Sequence, residues 1–319
     1  MKRFVKRLSI LCCITALCLS ASSLAGAKEY RIAFVARSQA DSFAAWLTNA
    51  INEEVARYPD LKVDIMDSQA DDAKENAFIE NAIANRYDLI IVQPNNGEAQ
   101  RPYIEQAIHA GVPVIITNPR IAGIHSASTV DTDPYEQGAV NARLALTQVP
   151  QDARTVVLNG PAGNGHAMKR REAWQQEFFA RRPDVKIVGE QIANWNRDEA
   201  MRLMADWVQA NETIDVIVAM NDNMCLGALD IIRDDPKFAH TLSYGVDGTA
   251  EAVLLIKEGR MTSTSLQNAY ELAARNIKVA QDLLTGKITQ IDTDIECPLI
   301  TRENADQFIE IHKQAGAIR

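Results

Sequence analysis

The sequence predicts an α/β fold built as two similar halves, each with its own doubly wound parallel sheet. Eight short β-branched runs recur along the chain, and amphipathic helical patterns lie between them. The runs are continuously apolar rather than alternating, which is typical of parallel strands that helices cover on both faces. Because eight strands are more than one compact sheet of this type usually holds, we expect two sheets.

The first half is predicted from four runs, at residues 32–35, 63–65, 89–92 and 114–116. A helix after the first run is indicated by an apolar stripe at three- and four-residue spacing, formed by Phe43, Trp46, Leu47, Ala50, Ile51 and Val55. The alternation pauses at GIHSASTVDTDPYEQG, residues 123–138. We interpret this pause as the crossing from the first half to the second.

The second half is predicted from runs at residues 156–158, 187–188, 216–218 and 244–246. Its clearest helical stripe consists of Ala200, Leu203, Met204, Trp207 and Val208. The tail departs from the alternation, because a helix over residues 270–284 is followed by a turn and an extended stretch, GKITQIDTDIECPLIT, and then by a short polar helix. A chain that completes both halves this late is expected to cross between them more than once.

The first 27 residues have the pattern of a secretory signal peptide. A basic start precedes an apolar run at residues 8–19, and small residues follow up to Ala27. We expect cleavage after Ala27, with Ala25 as the alternative, and export to the periplasm. A retained anchor is the other reading, although the run is too short to span a membrane by itself. Leu17 stands before Cys18 where a lipoprotein site needs a small residue, so no lipid anchor is expected.

Charge and cysteine content exclude several classes of function. Removal of the signal peptide takes away four cations and no acids, which changes the formal charge from −9 to −13. Nucleic-acid binding needs a basic face, so an acidic chain disfavours it. No metal or other cofactor is expected, because no Cys/His spacing suggests zinc. Cys225 and Cys297 remain after cleavage, and two buried thiols are favoured over a disulfide.

A glycine-containing loop, NGPAGNGHAMKRREAW, follows the run at residues 156–158 and opens a helix. It lacks both the GxGxxG and the GK[ST] patterns, which disfavours nucleotide binding. Its glycines allow a tight turn that places His166 and Arg170 at the edge of a cleft. The alternative is an ordinary turn with all three cations at residues 169–171 in solvent. Motifs such as HExxH and GxSxG are also absent, so an enzyme is disfavoured, although triads can assemble from distant positions.

Polar and aromatic residues gather where predicted strands end, which is where open α/β sheets bind ligands. Amides, carboxylates and an arginine beside aromatic rings suit a ligand rich in hydroxyl groups, because each hydroxyl both donates and accepts hydrogen bonds. Each residue also has a structural alternative: Asp41 and Asn221 can cap helices, Phe43 and Trp195 can be core, and Asp247 can belong to a turn. The set is Arg37, Asp41, Phe43, Asn118, Trp195, Asn221, Asp247 and Gln267.

Several segments resemble periplasmic sugar-binding proteins of the ribose/galactose type, the type 1 receptors of bacterial ABC importers. The segments are AMNDNMCLGAL, YGVDGTAEAV, TSTSLQNAYELAARNIKVAQDLLTGK and IECPLITREN, and the similarity covers essentially the whole chain after residue 27. The resemblance implies two Rossmann-like lobes joined by a three-strand hinge, with residues 28–130 and 268–295 in the first lobe and residues 131–267 and 296–319 in the second. It also implies a monomer that closes over one sugar.

The resemblance assigns roles to individual residues. Asp41 and Asn118 stand at hydroxyl-binding positions of the first lobe, and Phe43 and Trp195 at ring-stacking positions. Arg170 matches the second-lobe arginine, Asn221 and Asp247 the amide and carboxylate pair, and Gln267 the hinge amide, while Asp222 is expected to cap or brace its helix. Arg37 stands where relatives often have a small or hydroxyl residue, and His166 stands where galactose-type members have a carboxylate. Pro119 replaces the charged residue that usually follows Asn118. These departures leave a polyol, an inositol, a sugar acid or a pentose open as ligand.

The function expected from this resemblance is a non-catalytic receptor that delivers a monosaccharide or polyol to a membrane ABC permease. A sensor that presents the ligand to a chemoreceptor or a membrane histidine kinase is the alternative. A periplasmic hydrolase that uses Asp41 or Asp247 would instead turn its substrate over. A DNA-binding repressor of related architecture is disfavoured by the signal peptide, the acidic charge and the missing helix-turn-helix.

Overall fold

The computed structural model of the protein describes residues 28–318, so the predicted signal peptide lies outside the described residues. Residues 30–148 contain, in chain order, β1 (Tyr30–Ala36), α1 (Ser42–Val55), β2 (Leu61–Asp67), α2 (Asp72–Ala84), β3 (Leu89–Val92), α3 (Gly97–His109), β4 (Val114–Thr117), β5 (Ser128–Thr132) and α4 (Pro134–Gln148).

The remaining elements are β6 (Arg154–Asn159), α5 (Gly165–Glu177), β7 (Lys186–Ile192), α6 (Arg197–Ala210), β8 (Val216–Ala219), α7 (Asp222–Ile232), β9 (Leu242–Asp247), α8 (Ala250–Glu258), β10 (Ser263–Leu266), α9 (Ala269–Leu284), β11 (Asp292–Ile295), β12 (Leu299–Ile300) and α10 (Ala305–Gln314). Two short 3₁₀ turns, Phe179–Arg181 and Pro236–Phe238, complete the described structure.

The strands form two six-stranded sheets, in the orders β11-β5-β4-β3-β1-β2 and β12-β10-β9-β8-β6-β7. All neighbouring pairs are parallel except β10 and β12, which are antiparallel. Each of the eight predicted runs lies in one of the strands β1–β4 and β6–β9, which confirms the prediction of two parallel-sheet halves. We call the first sheet with α1, α2, α3 and α9 the first lobe, and the second sheet with the other helices the second lobe.

The chain passes between the lobes three times: after Thr132, between Leu266 and Ala269, and between Ile295 and Leu299. The expectation of more than one crossing is therefore confirmed. The segment interpreted as a crossing, residues 123–138, is only partly one, because β5 lies within it and pairs with β4 in the first sheet. The sequence STVDT hides this strand because its residues are mostly polar, although all five are buried.

Each lobe has its own apolar core, which the helices complete on both faces of the sheets. In the first lobe α9 packs against α1, and Leu272 and Ile277 share one cluster with Ile32 and Phe34. A second cluster lies on the opposite face, under α2 and α3. The core of the second lobe is one large apolar cluster, which includes Trp174. Two separate cores allow the lobes to move as units about the crossings.

Helix amino termini face the cleft between the lobes, because each helix begins just after the carboxyl end of a strand. Asp41 caps α1, Asn164 caps α5, Asn196 caps α6 and Asn221 caps α7, each by accepting a backbone N–H with its side-chain oxygen. Capping satisfies N–H groups that have no partner within the helix. The loops at the strand ends thus supply helix caps, and two of these caps, Asp41 and Asn221, also face the cavity between the lobes.

Every helix in the described part of the chain is too short or too polar to span a bilayer. Residues 28–318 also contain no group of three or more His, Cys, Asp or Glu side chains arranged to hold a metal ion. Cys225 and Cys297 are both buried free thiols. Burial raises the pKa of Cys225, and it raises the pKa of Cys297 to about 11.

Candidate ligand-binding site

One small cavity lies between the two lobes, and all of its lining residues were predicted from the sequence. The first lobe contributes residues from the ends of β1 and β4, the second lobe residues from the ends of β6 to β9, and the second crossing contributes one amide. The lining residues are Arg37, Asp41, Phe43, Asn118, His166, Arg170, Trp195, Asn221, Asp247 and Gln267.

Asp41 and Asn221 cap helices and line the cavity at the same time. The Oδ1 atom of Asp41 accepts the N–H groups of Phe43 and Ala44, while its Oδ2 atom lies 2.7 Å from Nη2 of Arg37. In Asn221, Oδ1 accepts the N–H of Met224 at 2.9 Å. The functional and structural interpretations of these residues are therefore compatible, and capping fixes both side chains at the cleft.

Asp222 braces the end of the second sheet from a buried position. Its carboxylate accepts hydrogen bonds from the hydroxyl of Thr264 and from the backbone and hydroxyl of Thr249. Burial raises the pKa of Asp222 to about 7, although these hydrogen bonds oppose the rise. The aspartate therefore connects the loops after β8 and β9 to β10.

Trp195 forms a wall of the cavity from the second lobe. Its backbone has φ of 60°, in the left-handed region that non-glycine residues rarely adopt. A Cβ atom at Gly160 would lie 2.3 Å from the indole ring, so only glycine leaves room for this placement. The guanidinium carbons of Arg170 and Arg37 lie 5.6 and 6.0 Å from the ring centroid, within the range of cation–π attraction.

A chain of amides connects the lobes beneath the cavity. Asn118 of the first lobe donates from Nδ2 to Oε1 of Gln267 at 2.7 Å, and Gln267 donates from Nε2 to Oδ1 of Asp247 at 3.2 Å. Gln267 Oε1 also accepts from Gln137 and Arg170. The hinge amide predicted at residue 267 is therefore a junction between side chains of both lobes.

Arg170 is the one cation of the run at residues 169–171 that points inward, and it is 2% exposed. It donates from Nε to Gln137, from Nη1 to the carbonyl of Met220, and from Nη2 to Gln267. Burial lowers its pKa, but an arginine remains protonated under any ordinary condition. Arg170 thus supplies a fixed positive charge, with Asp247 Oδ1 4.0 Å away.

His166 connects the second lobe to Asp131 on β5. Its Nε2 atom lies 2.9 Å from Oδ1 of Asp131, and its Nδ1 atom lies 3.1 Å from Nη2 of Arg170. Burial lowers the pKa of His166, whereas burial alone would raise that of Asp131. His166 and the N–H groups of Arg120 and Thr132 nevertheless hold the pKa of Asp131 below its ordinary value. Because Arg170 can only donate, Nδ1 of His166 accepts its hydrogen bond, and Nε2 carries the proton that is donated to Asp131.

Three buried polar atoms of the lining have no hydrogen-bond partner among residues 28–318: Arg37 Nε, Trp195 Nε1 and Asp247 Oδ2. Two are donors and one is an acceptor. An unpaired polar group in a buried place costs roughly 1–3 kcal/mol. Burial also raises the pKa of Asp247 well above its ordinary value, with Arg170 opposing the rise. These atoms come from both lobes and are suited to hydrogen bonds with a bound molecule.

Three residues that hold the site in place were not predicted: Gln93, Asp131 and Gln137. Gln93 follows β3 directly and donates to Oδ1 of Asn118, so the same strand-end position could have identified it. Asp131 lies inside the unpredicted strand β5. Gln137 lies within α4, where nothing in the sequence distinguishes a buried glutamine from an exposed one.

Comparison with known proteins places this fold among solute-binding proteins. A family model described as a periplasmic binding protein domain matches residues 32–288. The xylitol-binding protein of Mycolicibacterium smegmatis is 30% identical over 233 residues, which is 73% of this chain and 66% of that protein. The ribose import binding protein of Salmonella typhimurium is 24% identical over 94% of this chain and 99% of its own length.

A solved structure gives the same result for the three-dimensional fold. An ABC transporter solute-binding protein from Bacillus halodurans with bound myo-inositol superposes with a TM-score of 0.83 and 28% sequence identity, covering 89% of this chain and 98% of that one. The family model alone covers more than half of the chain, and the two-lobed fold agrees with it. The chain therefore belongs to the periplasmic binding protein family, whose members are solute-binding proteins.

Proposed function

We propose that this protein is the solute receptor of an ABC importer, and that it binds a neutral monosaccharide or polyol between its lobes without chemical conversion. The observation that carries the proposal is the set of three unpartnered atoms, Arg37 Nε, Trp195 Nε1 and Asp247 Oδ2, around the cavity between the lobes. Hydroxyl groups satisfy such a set because each can accept from Arg37 or Trp195 and donate to Asp247. Binding then removes the cost of the unpaired atoms in both lobes at once.

The charge of the lining favours a neutral ligand over a sugar acid. Arg37 is paired with Asp41 at 2.7 Å, and Arg170 has Asp247 nearby at 4.0 Å. Asp41 therefore compensates the charge of Arg37, and the N–H groups of Arg170 already donate to Gln137, Met220 and Gln267. A sugar carboxylate would also bring a second negative charge close to Asp41, which like-charge repulsion disfavours.

The relatives support the same class of ligand. The similar proteins named above bind xylitol, ribose or myo-inositol according to their names, and all three ligands are neutral and rich in hydroxyl groups. The aromatic side chains Phe43 and Trp195 offer apolar faces for the C–H groups of such a ligand.

We further propose export to the periplasm as a monomer after removal of residues 1–27, in agreement with the basic and apolar pattern of that segment. The lobes are proposed as residues 28–130 with 268–295 and residues 131–267 with 296–319. Sheet membership supports the two later boundaries, since β11 pairs with β5 in the first sheet and β12 pairs with β10 in the second, whereas β5 extends the first lobe to Thr132. The partner of the closed form is a membrane permease.

A thermal-shift screen followed by calorimetry tests the proposal. The protein purified from the periplasm is screened against pentoses, hexoses, inositols, acyclic polyols and sugar acids. A ligand that binds only the folded state adds roughly 2.7 kcal/mol at one hundred times its Kd, which is readily measured. We expect a hit among the neutral compounds, none among the acids, and full recovery of the ligand by mass spectrometry.

Other results would contradict specific parts of the proposal. A sugar acid as the best ligand would refute the argument from charge. Conversion of the ligand during incubation would show an enzyme. Silence across the whole panel with folded protein would refute the assignment of the cavity to sugars and polyols.

A further inference from the structure

The two lobes touch at a place that is separate from the cavity and from the three crossings. There the loop before α3 in the first lobe meets the loop before α5 in the second. Nδ2 of Asn164 donates to the backbone carbonyl of Asn95 at 3.0 Å. Neither residue lines the cavity, and Asn164 is completely buried. This hydrogen bond exists only when the lobes are close together.

The first-lobe side of this contact is held in a fixed position. The backbone N–H of Asn95 donates to Oε2 of Glu75 at 3.2 Å, and Nδ2 of Asn95 donates to Oδ1 of Asp72 at 2.8 Å. Glu75 is fully buried on α2. The carbonyl that receives the Asn164 amide is therefore already oriented by the first lobe, so little conformational entropy is lost when the contact forms.

The second-lobe side is shaped to fit. Gly163 has φ of 78°, and a Cβ atom there would lie 2.9 Å from Oδ1 of Asn96. Asn96 cannot move aside freely because its Oδ1 atom caps α3. Glycine at residue 163 thus lets the two loops approach closely enough for the Asn164 hydrogen bond. Steric fit and hydrogen bonding at adjacent residues both favour closure.

We propose that Asn164 is a closure residue: it holds the lobes together outside the cavity and sets the affinity for every ligand by the same factor. The proposal rests on the proposed function, because it assumes that ligand binds the closed form. A contact that stabilises only the closed form raises the fraction of protein competent to bind, and the apparent Kd falls in proportion. Such a contact acts on affinity without acting on selectivity.

Substitutions at residue 164 can separate closure from helix stability, because Oδ1 of Asn164 also caps α5 by accepting the N–H of Ala167. Asn164→Ser keeps a good capping residue and removes the amide donor. Asn164→Asp keeps the cap and places a carboxylate against the Asn95 carbonyl. Asn196 provides the matched control, since it caps α6 in the same lobe and no bond from its amide nitrogen is found within residues 28–318.

The experiment measures Kd by calorimetry for D-ribose, xylitol and myo-inositol, together with small-angle scattering of the ligand-free protein and the melting temperature. For Asn164→Ser we expect Kd to rise about threefold to tenfold for each compound that the wild type binds, the range of one net hydrogen bond. Asn164→Asp should raise Kd further, enlarge the ligand-free radius of gyration and leave the melting temperature unchanged or higher. Asn196→Ser and Asn196→Asp should leave Kd unchanged.

Three outcomes would overturn the proposal. The first is an unchanged Kd in both Asn164 variants. The second is a change in the ratio of Kd values between compounds, which would place residue 164 in the ligand site. The third is an equal loss of affinity in the Asn196 controls. If the wild type binds none of the compounds in the wider neutral panel, the proposed function itself fails, and that result is distinct from all three.

Discussion

Asn221 gives the sharpest test of the candidate site, because its two side-chain atoms have separable roles. Oδ1 caps α7 by accepting the N–H of Met224 at 2.9 Å, while the residue lines the cavity and its Nδ2 atom remains for the ligand. Asn221→Ser keeps a hydroxyl for the cap and removes the amide donor. Asn221→Ala removes both. The pair therefore distinguishes loss of binding from loss of helix stability.

The expected magnitudes follow from these two interactions. Loss of a hydrogen bond to a ligand in a desolvated site costs roughly 1–3 kcal/mol, so both variants should raise Kd by about fivefold to more than one hundredfold. Loss of the cap costs about 1 kcal/mol of folding stability, so only Asn221→Ala should be clearly less stable. Calorimetry with the ligand from the screen measures the first quantity, and urea unfolding of the ligand-free protein measures the second.

An unchanged Kd in Asn221→Ser would refute the assignment of the Asn221 amide to the ligand. An equal loss of folding stability in both variants would show that serine does not replace the cap. The change in Kd of Asn221→Ser would then include the effect of the lost cap. The expected combination is weaker binding in both variants with wild-type stability in Asn221→Ser.

Three further predictions concern burial and packing. Burial raises the pKa of Glu75 from its ordinary 4.5 to about 8, so folding stability should fall as the pH rises through this interval, by up to about 5 kcal/mol. Urea unfolding at several pH values measures this dependence, and Glu75→Gln should remove it. Burial also raises the pKa of Asp247, whereas hydroxyl groups of a bound ligand that donate to it favour its ionised form. Binding should therefore release protons and become stronger as the pH rises. Calorimetry in two buffers measures this release, which should be absent in Asp247→Asn. Gly160→Ala would put a methyl group 2.3 Å from the Trp195 ring, so it should cost about 1–3 kcal/mol and weaken binding; unchanged Kd and tryptophan fluorescence would contradict the role given to Gly160.

Much of the fold was predictable because its strands are apolar and buried on both faces. The runs at residues 32–35 and 216–218 are predicted as strands from composition alone, and they are interior strands of the two sheets. β5 was not predicted, because its residues are mostly polar. Thr117 on β4 donates its hydroxyl to the carbonyl of Val130 in this strand. Because the buried side chains of β5 are themselves mostly polar, the strand carries no hydrophobic signal.

The sequence by itself determined the α/β class, the two halves and the side chains that line the cavity, because strand ends in such sheets face a common edge. Only the tertiary structure decided how those side chains share their hydrogen bonds. It showed that Asn118 and Gln267, which are 149 residues apart, lie 2.7 Å from each other, and that Asn164 reaches Asn95 across the cleft. Pairings of this kind depend on how two lobes meet, and no local pattern in the chain encodes that geometry.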